Sequence, residues 1–447
     1  MPQAALRELL GIAGMEGEAE IRGADPALKT PYRVGTAGAA ALAATGIAAA
    51  ELWKLRCGRA QRVTVDLPAA AASLKSGAYL RIDGKLPSAI WDPFSLFYAV
   101  RNGRCVRFHC NYPHHRAAAL GVLGIGEDVE AAKRAAASWD GLALEDAIHA
   151  AGGCAALVRS TQEWAAQPHS AAVAGQPLLD IERIGDAPPM PLPKADRPLS
   201  GIRVLDLTRV LAGPTCAKTL AEHGADVLKI TAAHLPDSGD IDLDTGLGKL
   251  SAQLDLREKK GVETLRRLAQ GADVFSQSYR PGALAARGFS PQLLAQLRPG
   301  IVTVSLSAWG QTGPWKDRRG FDSIVQCVSG MAQTQGGADA PKLLPCSAID
   351  YVSGYLMAFG AMVALARRAR EGGSWLVRVA LARTGKWIVD RGTVDPARAV
   401  EPDPQTRQTR SPAGVITHLG PVVQLSETPP YWARPPVPLG YHRPQWP

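Results

Sequence analysis

The 447-residue chain is poor in aromatic residues, which make up 6% of it, and holds no run of lysines and arginines despite a formal net charge of +9. Proteins that bind single-stranded nucleic acid interleave stacking rings with clustered cations. Here the basic surplus is scattered and no recognised nucleic-acid motif is present, so the charge is compatible with anionic ligands rather than with a polynucleotide. The seven cysteines (Cys57, Cys105, Cys110, Cys154, Cys216, Cys327 and Cys346) are odd in number and include no C-x-x-C pair. That pattern points to a reduced, cytoplasmic protein and away from a disulfide framework. No stretch of about 20 residues reads as apolar enough to cross a bilayer, the alanine-rich run 36–50 being shorter and broken by glycines. The opening segment MPQAALRELLGIAGMEGEAEIRG lacks the basic region and apolar core of a signal peptide. Cys105, His109, Cys110, His114 and His115 lie close together but fit no zinc-finger spacing, so no metal is expected. Leu123-Gly124-Ile125-Gly126 lacks the third glycine of a dinucleotide fingerprint, and there is no G-x-S-x-G elbow.

What the chain does have is length and periodicity. Its size exceeds one small core, and 46% hydrophobic with 20% charged residues is globular in character. Residues 1–78 read as a short helix, an alanine-rich helix over 36–55 and an alternating strand over 61–67. A hairpin turning at Asn102-Gly103, then helical periodicity over 116–123, 128–137, 143–151 and 161–167, marks a small α+β domain at 79–185. Five prolines among the thirteen residues 186–198 make a stiff, extended linker. Over 199–390, strands (203–207, 226–230, 253–256, 273–277 and 301–307) alternate with helices such as 214–223 and 259–269. Such alternation predicts an α/β fold, a doubly wound parallel sheet of Rossmann-like kind beside the smaller domain. The tail 391–447 carries eleven prolines from residue 401 onward and is expected to run extended over the surface.

A shift of 314 residues aligns 36–67 with 350–381 without a gap. Both copies end in V-x-V-x-L, as Val63, Val65 and Leu67 in one and Val377, Val379 and Leu381 in the other. The match reads as a duplication in which Thr36 stands where Asp350 stands.

Four ordered segments carry a resemblance. They are PLSGIRVLDLTRVLAGPTCAKTLAEHGADVLKI, SYRPGALAARGF, SLSAWGQTGPWKDRRGFDSIVQCVSGMA and AIDYVSGYLMAFGAMVALARR. Together they resemble the family III CoA-transferases, also called the CaiB/BaiF family, with the usual domain order permuted or taken from a trimmed tandem. The resemblance implies transfer of coenzyme A from an acyl-CoA to a carboxylic acid, through an aspartyl anhydride and an aspartyl-CoA thioester on Asp350. It carries CoA contacts to Val210, Leu211 and Ala212 in the loop after the first strand, to Arg280 in YRPG, and to Gly310, Lys316, Arg319 and Phe321. Helix starts beyond strand ends offer N–H groups to anions, and arginine forks onto phosphate oxygens. CoA enters as substrate, with no tightly bound cofactor, no metal, no nucleic-acid or membrane partner, and a homodimer implied. At the reference pKa near 3.9, Asp350 is charged at neutral pH, as a nucleophile must be.

The sequence also departs from the family pattern. Ser278 replaces an asparagine, Lys229-Ile230-Thr231-Ala232 lacks the usual acid and base, and Gly246-Leu247-Gly248-Lys249-Leu250-Ser251 lacks two arginines. These losses leave open a CoA-binding relative without catalysis. Acyl-CoA racemases share the fold and pair the aspartate with a histidine. Phe321 occupies that position here, and an apolar ring cannot exchange a proton.

Overall fold

A computed structural model of the chain describes residues 1–88 and 91–447. Its largest sheet has seven strands: β1 (Asp180–Gly185), β2 (Arg203–Leu207), β3 (Asp226–Thr231), β4 (Lys249–Gln253), β5 (Val274–Gln277), β6 (Val302–Ser307) and β7 (Ser374–Ala380). They lie in the order β4-β3-β2-β5-β6-β7-β1, and every neighbouring pair is parallel except β7 with β1. Alternate residues of β2, β3 and β5 serve two separate cores. Val204, Val227, Val274, Val302 and Val304 share a core with the helices Ala212–Glu222 and Ala348–Glu371. Leu205, Leu207, Leu228, Ile230 and Phe275 share another with Lys259–Gln270 and Pro291–Leu297. Apolar side chains are wanted on both faces of such a strand, which is why these segments read as continuous hydrophobic runs.

Three expectations are corrected. The strand expected at 253–256 lies at Lys249–Gln253. Its first residue is a lysine, which broke the apolar pattern, yet Lys249 Nζ is buried and donates to Asp206 Oδ2 (2.9 Å) and the Pro214 carbonyl (2.8 Å). β1 falls inside the region read as the small domain, yet it forms the antiparallel edge of the large sheet. The tail is not wholly extended either. Thr406–Ser411 and Gly414–Leu419 form a hairpin that continues onto Arg81–Ile82, and Gln424–Leu425 pairs with Val63–Asp66. Pro404, Pro412 and Pro421 sit at the ends of these strands, where the missing N–H does no harm.

A smaller antiparallel sheet of Phe97–Ala99, Cys105–Phe108 and Ala155–Leu157 has its own core, including Tyr98, Phe108, Leu144 and Ile148.

Two 24-residue helices, Val34–Cys57 and Ala348–Glu371, pack against each other at the centre. Contrary to the sequence reading, both are long and apolar enough to cross a membrane, with hydropathies of 1.3 and 1.5, but 89% and 100% of their apolar windows are buried inside the protein. Their ends match at the 314-residue offset. So does the strand-to-helix junction that follows, Asp66 to Leu67 in one place and Ala380 to Leu381 in the other. The packing repeats as well. A Cβ on Gly46 would lie 2.6 Å from Val63 Cγ1, and one on Gly360 would lie 2.6 Å from Val377 Cγ1. Each helix start is held by an upstream carboxylate. Asp25 accepts from the Gly35 and Thr36 amides (3.1 and 2.7 Å), and Asp322 accepts from the Asp350 amide (3.0 Å). Thr36 and Asp350 therefore occupy the same place on equivalent helices.

Alanine ordinarily favours an exposed helix over glycine by about 1 kcal/mol. At Gly46 and Gly360 the opposite sign is expected: each Gly→Ala change should lose about 1–3 kcal/mol by overpacking, read from denaturant unfolding midpoints. A gain at either position would contradict this helix–strand packing.

Candidate functional site

Asp350 lies in the first turn of the helix Ala348–Glu371 and is buried. A carboxylate there would ordinarily cap the helix, but Asp322 already takes the amides of Asp350 and Ile349. Among the described residues no hydrogen bond reaches the Asp350 carboxyl. Burial first, and the neighbouring Asp322 carboxylate second, push it well above the ordinary aspartate range. Burial pushes Asp322 up to about 6, against the lowering effect of its bonds from the Asp350 amide, Gln326 and the Ile349 amide. The local surroundings thus oppose the charge that Asp350 must carry as a nucleophile.

Asp350 lines two cavities at once. The first, about 300 Å³, opens beyond the carboxyl ends of β2, β5 and β6, where the strand order reverses direction. Open α/β sheets place ligands at such a point. Its walls carry Arg209, Arg280, Lys316, Arg318 and Arg319, with Asp350 the one carboxylate among its lining residues. Arg318 is drawn outward onto Glu145 (3.2 Å) and Asp146 (2.7 Å). The second cavity, about 860 Å³, runs from Asp350 past Phe321 and Tyr112 to Trp91 and Leu344. A third, about 190 Å³, lies over the ends of β2 and β3 between Ile230, His234, Leu254 and Tyr279.

The loop after β2 is held by buried polar contacts. Asp206 takes Lys249 and also accepts from the Thr208 amide (3.0 Å) and hydroxyl, while the Arg209 amide donates to Ser278 Oγ (3.1 Å). Val210 is thereby held at φ 69°, a left-handed conformation rare for a β-branched residue. Such strain persists only where the surroundings over-determine it, and it concentrates at ligand sites.

Of the residues singled out from the sequence, Val210, Ala212, Arg280, Lys316, Arg319, Phe321 and Asp350 line the basic cavity together. Leu211 lines the larger one. Gly310 lines neither: at φ 90° it makes a tight turn against Gln176, with its amide donating to Ser307 Oγ (3.1 Å). Arg209 was missed, although it sits beside the Val210 loop. Tyr112, His114 and His115, from a distant part of the chain, form another wall. His109 stacks on Phe321, with ring centroids 3.8 Å apart, and lines the larger cavity. A histidine therefore does share a cavity with the aspartate, supplied by another element. Burial, followed by His115 and Arg107, holds it neutral.

A carboxyl group and a cationic cleft thus meet at the switch point of the sheet. Residues 3–190 and 199–434 match the model of CoA-transferase family III, and the chain belongs to that family. It is 33% identical over 183 residues to a human succinyl-CoA:glutarate CoA-transferase, covering 38% of this chain and 41% of that protein. It is 31% identical over 206 residues to the probable fatty acyl-CoA transferase Rv3272 of Mycobacterium tuberculosis, covering 43% of this chain and 52% of that one. The solved structure of Rv3272 aligns with 30% identity and a TM-score of 0.41, over 44% of this chain and 58% of that chain. The chain thus spans about half the length, or less, of the curated relatives it matches.

A carboxyl with a raised pKa takes up a proton on folding, so stability falls as pH rises from the unfolded value near 3.9 through the raised one. Asp350→Asn removes that liability. Its unfolding midpoint should exceed that of the unaltered chain near pH 8 and be little different near pH 4, read by denaturant titration at both. A lower midpoint near pH 8 would contradict the buried, unpartnered carboxyl.

Proposed function

We propose that the protein transfers coenzyme A from an acyl-CoA to a carboxylic acid, with Asp350 as the covalent carrier. The observation that supports this most is the position of Asp350 at the junction of a cationic cleft and a large, cation-poor cavity. On this reading the doubly wound, nucleotide-binding sheet seats CoA phosphates on Arg209, Arg280, Lys316 and Arg319. The strained Val210 loop meets the pantetheine arm, and the third cavity takes the adenine end. The proton of Asp350 passes to solvent, and a carboxylate oxygen attacks the thioester carbonyl. The C–S bond breaks, giving an aspartyl–acyl anhydride and CoA thiolate. The thiolate attacks the aspartyl carbonyl and expels the donor acid, leaving an aspartyl-CoA thioester. The acceptor carboxylate then attacks that thioester, and the returning thiolate takes the new acyl group and frees Asp350. A homodimer in the cytoplasm belongs to the same reading. Asp350→Ala should lower CoA exchange by about 10³-fold or more, measured by isotopic exchange between acyl-CoA and free acid. Arg280→Ala and Arg319→Ala should each raise KM for acyl-CoA about tenfold, less so in high salt. Full exchange by Asp350→Ala would end this mechanism.

The raised carboxyl also sets a pH dependence. Rate should fall on acidification through a group above the ordinary aspartate range, since the protonated form cannot attack. Asp322→Asn removes the second cause of that elevation, so the acid limb of kcat/KM should move to lower pH. An unmoved limb would mean that the Asp322 charge does not act on Asp350.

His109 favours one alternative, an acyl-CoA racemase pairing it with Asp350. Deuterium entering the α-carbon of a 2-methylacyl-CoA from solvent would support that reading, and its absence would remove it.

A further inference from the structure

The two cavities that meet at Asp350 differ in charge. Five lysines and arginines line the smaller one against a single carboxylate. Among the described residues lining the larger one, Lys75 is the one lysine or arginine, and Asp92, Asp237, Asp322 and Asp350 are there too. Lys75 is already committed, with its Nζ 2.6 Å from Glu401 Oε2. His109 is held neutral by burial, so it adds no cation. The remaining surface is largely carbon: Trp91, Tyr112, Leu211, Phe321, Leu343 and Leu344 face the space. Tyr112 and Leu344 are buried. A volume near 860 Å³ is far more than a two- or three-carbon acyl group fills.

We infer that the larger cavity is the acyl subsite and takes an extended, uncharged acyl chain rather than one ending in a second carboxylate. The inference rests on the proposed transfer reading only in seating CoA in the basic cleft. A terminal carboxylate would enter a space with no free cation among its described lining residues to receive it, a standing penalty against that class of substrate. Each methylene of a longer chain would instead leave water for apolar wall.

The test is calorimetric titration of the Asp350→Asn protein, which cannot form the covalent intermediate, with octanoyl-CoA, succinyl-CoA and free CoA. Octanoyl-CoA is expected to bind about tenfold or more tighter than succinyl-CoA, and succinyl-CoA no tighter than CoA. Leu343→Lys, which places a cation on this wall, should shift the ratio about tenfold toward succinyl-CoA. The ratio without that change decides the matter even if the lysine variant does not fold. Equal or tighter binding of succinyl-CoA, or no preference, overturns the inference. Octanoyl preference without exchange activity in the unaltered protein would uphold the subsite and remove the transferase reading instead.

Discussion

The carboxyl of Asp350 is kept out of water at the start of a helix whose positive end is already satisfied. Asp322 takes the free amides of that first turn, so Asp350 neither caps the helix nor finds a donor of its own. The carboxyl therefore faces open space with its charged form disfavoured, at a cost to stability that a purely structural aspartate would not impose. Stability and reactivity are opposed at this position, as is common where a group must be ready to react. The long helix can bear this because it is buried along its length, with alanine and glycine letting a second helix lie close against it.

The other half of the site depends on one buried ion pair. Lys249 at the start of β4 reaches across the sheet to Asp206 at the end of β2, and Asp206 fixes the turn that follows. Val210 is carried into its left-handed conformation by that turn and lines both cavities. Removing one partner of such a pair leaves an uncompensated charge, which is more damaging than never having had the pair. The lysine that interrupts the apolar pattern of β4 thus sets the shape of the basic cleft.

Much of this was legible in the sequence where the signal is local. The strand ends, the YRPG and GFD segments and the aspartate after Ala348-Ile349 each carry their own pattern, and seven of the residues chosen from them share one cavity. What was not legible depends on distance. His109, Tyr112 and His115 come to Phe321 from about 200 positions earlier, and no spacing announces it. The burial of Lys249 was not legible either, because a buried lysine has no local mark along the chain. The upward shift of the Asp350 carboxyl follows from burial and from Asp322, neither visible along the chain. Gly310 shows the converse: a glycine in a family-like motif, explained by the turn it makes against Gln176. The duplication was legible in V-x-V-x-L. The paired caps, Asp25 for one helix and Asp322 for the other, were hidden because the intervening segments differ in length.

The family model matches the chain in two segments, and the same glycine–valine contact recurs at the 314-residue offset, with Asp350 at one helix start and Thr36 at the other. The most direct measurement of whether that carboxylate is the acyl acceptor is acid-quenched peptide mass spectrometry after brief exposure to an acyl-CoA. The account predicts a gain of the mass of CoA less water on the peptide containing Asp350, and none on the peptide containing Thr36. An adduct on Cys346, which lines the same cavity, or no adduct at all with a substrate that turns over, would contradict it.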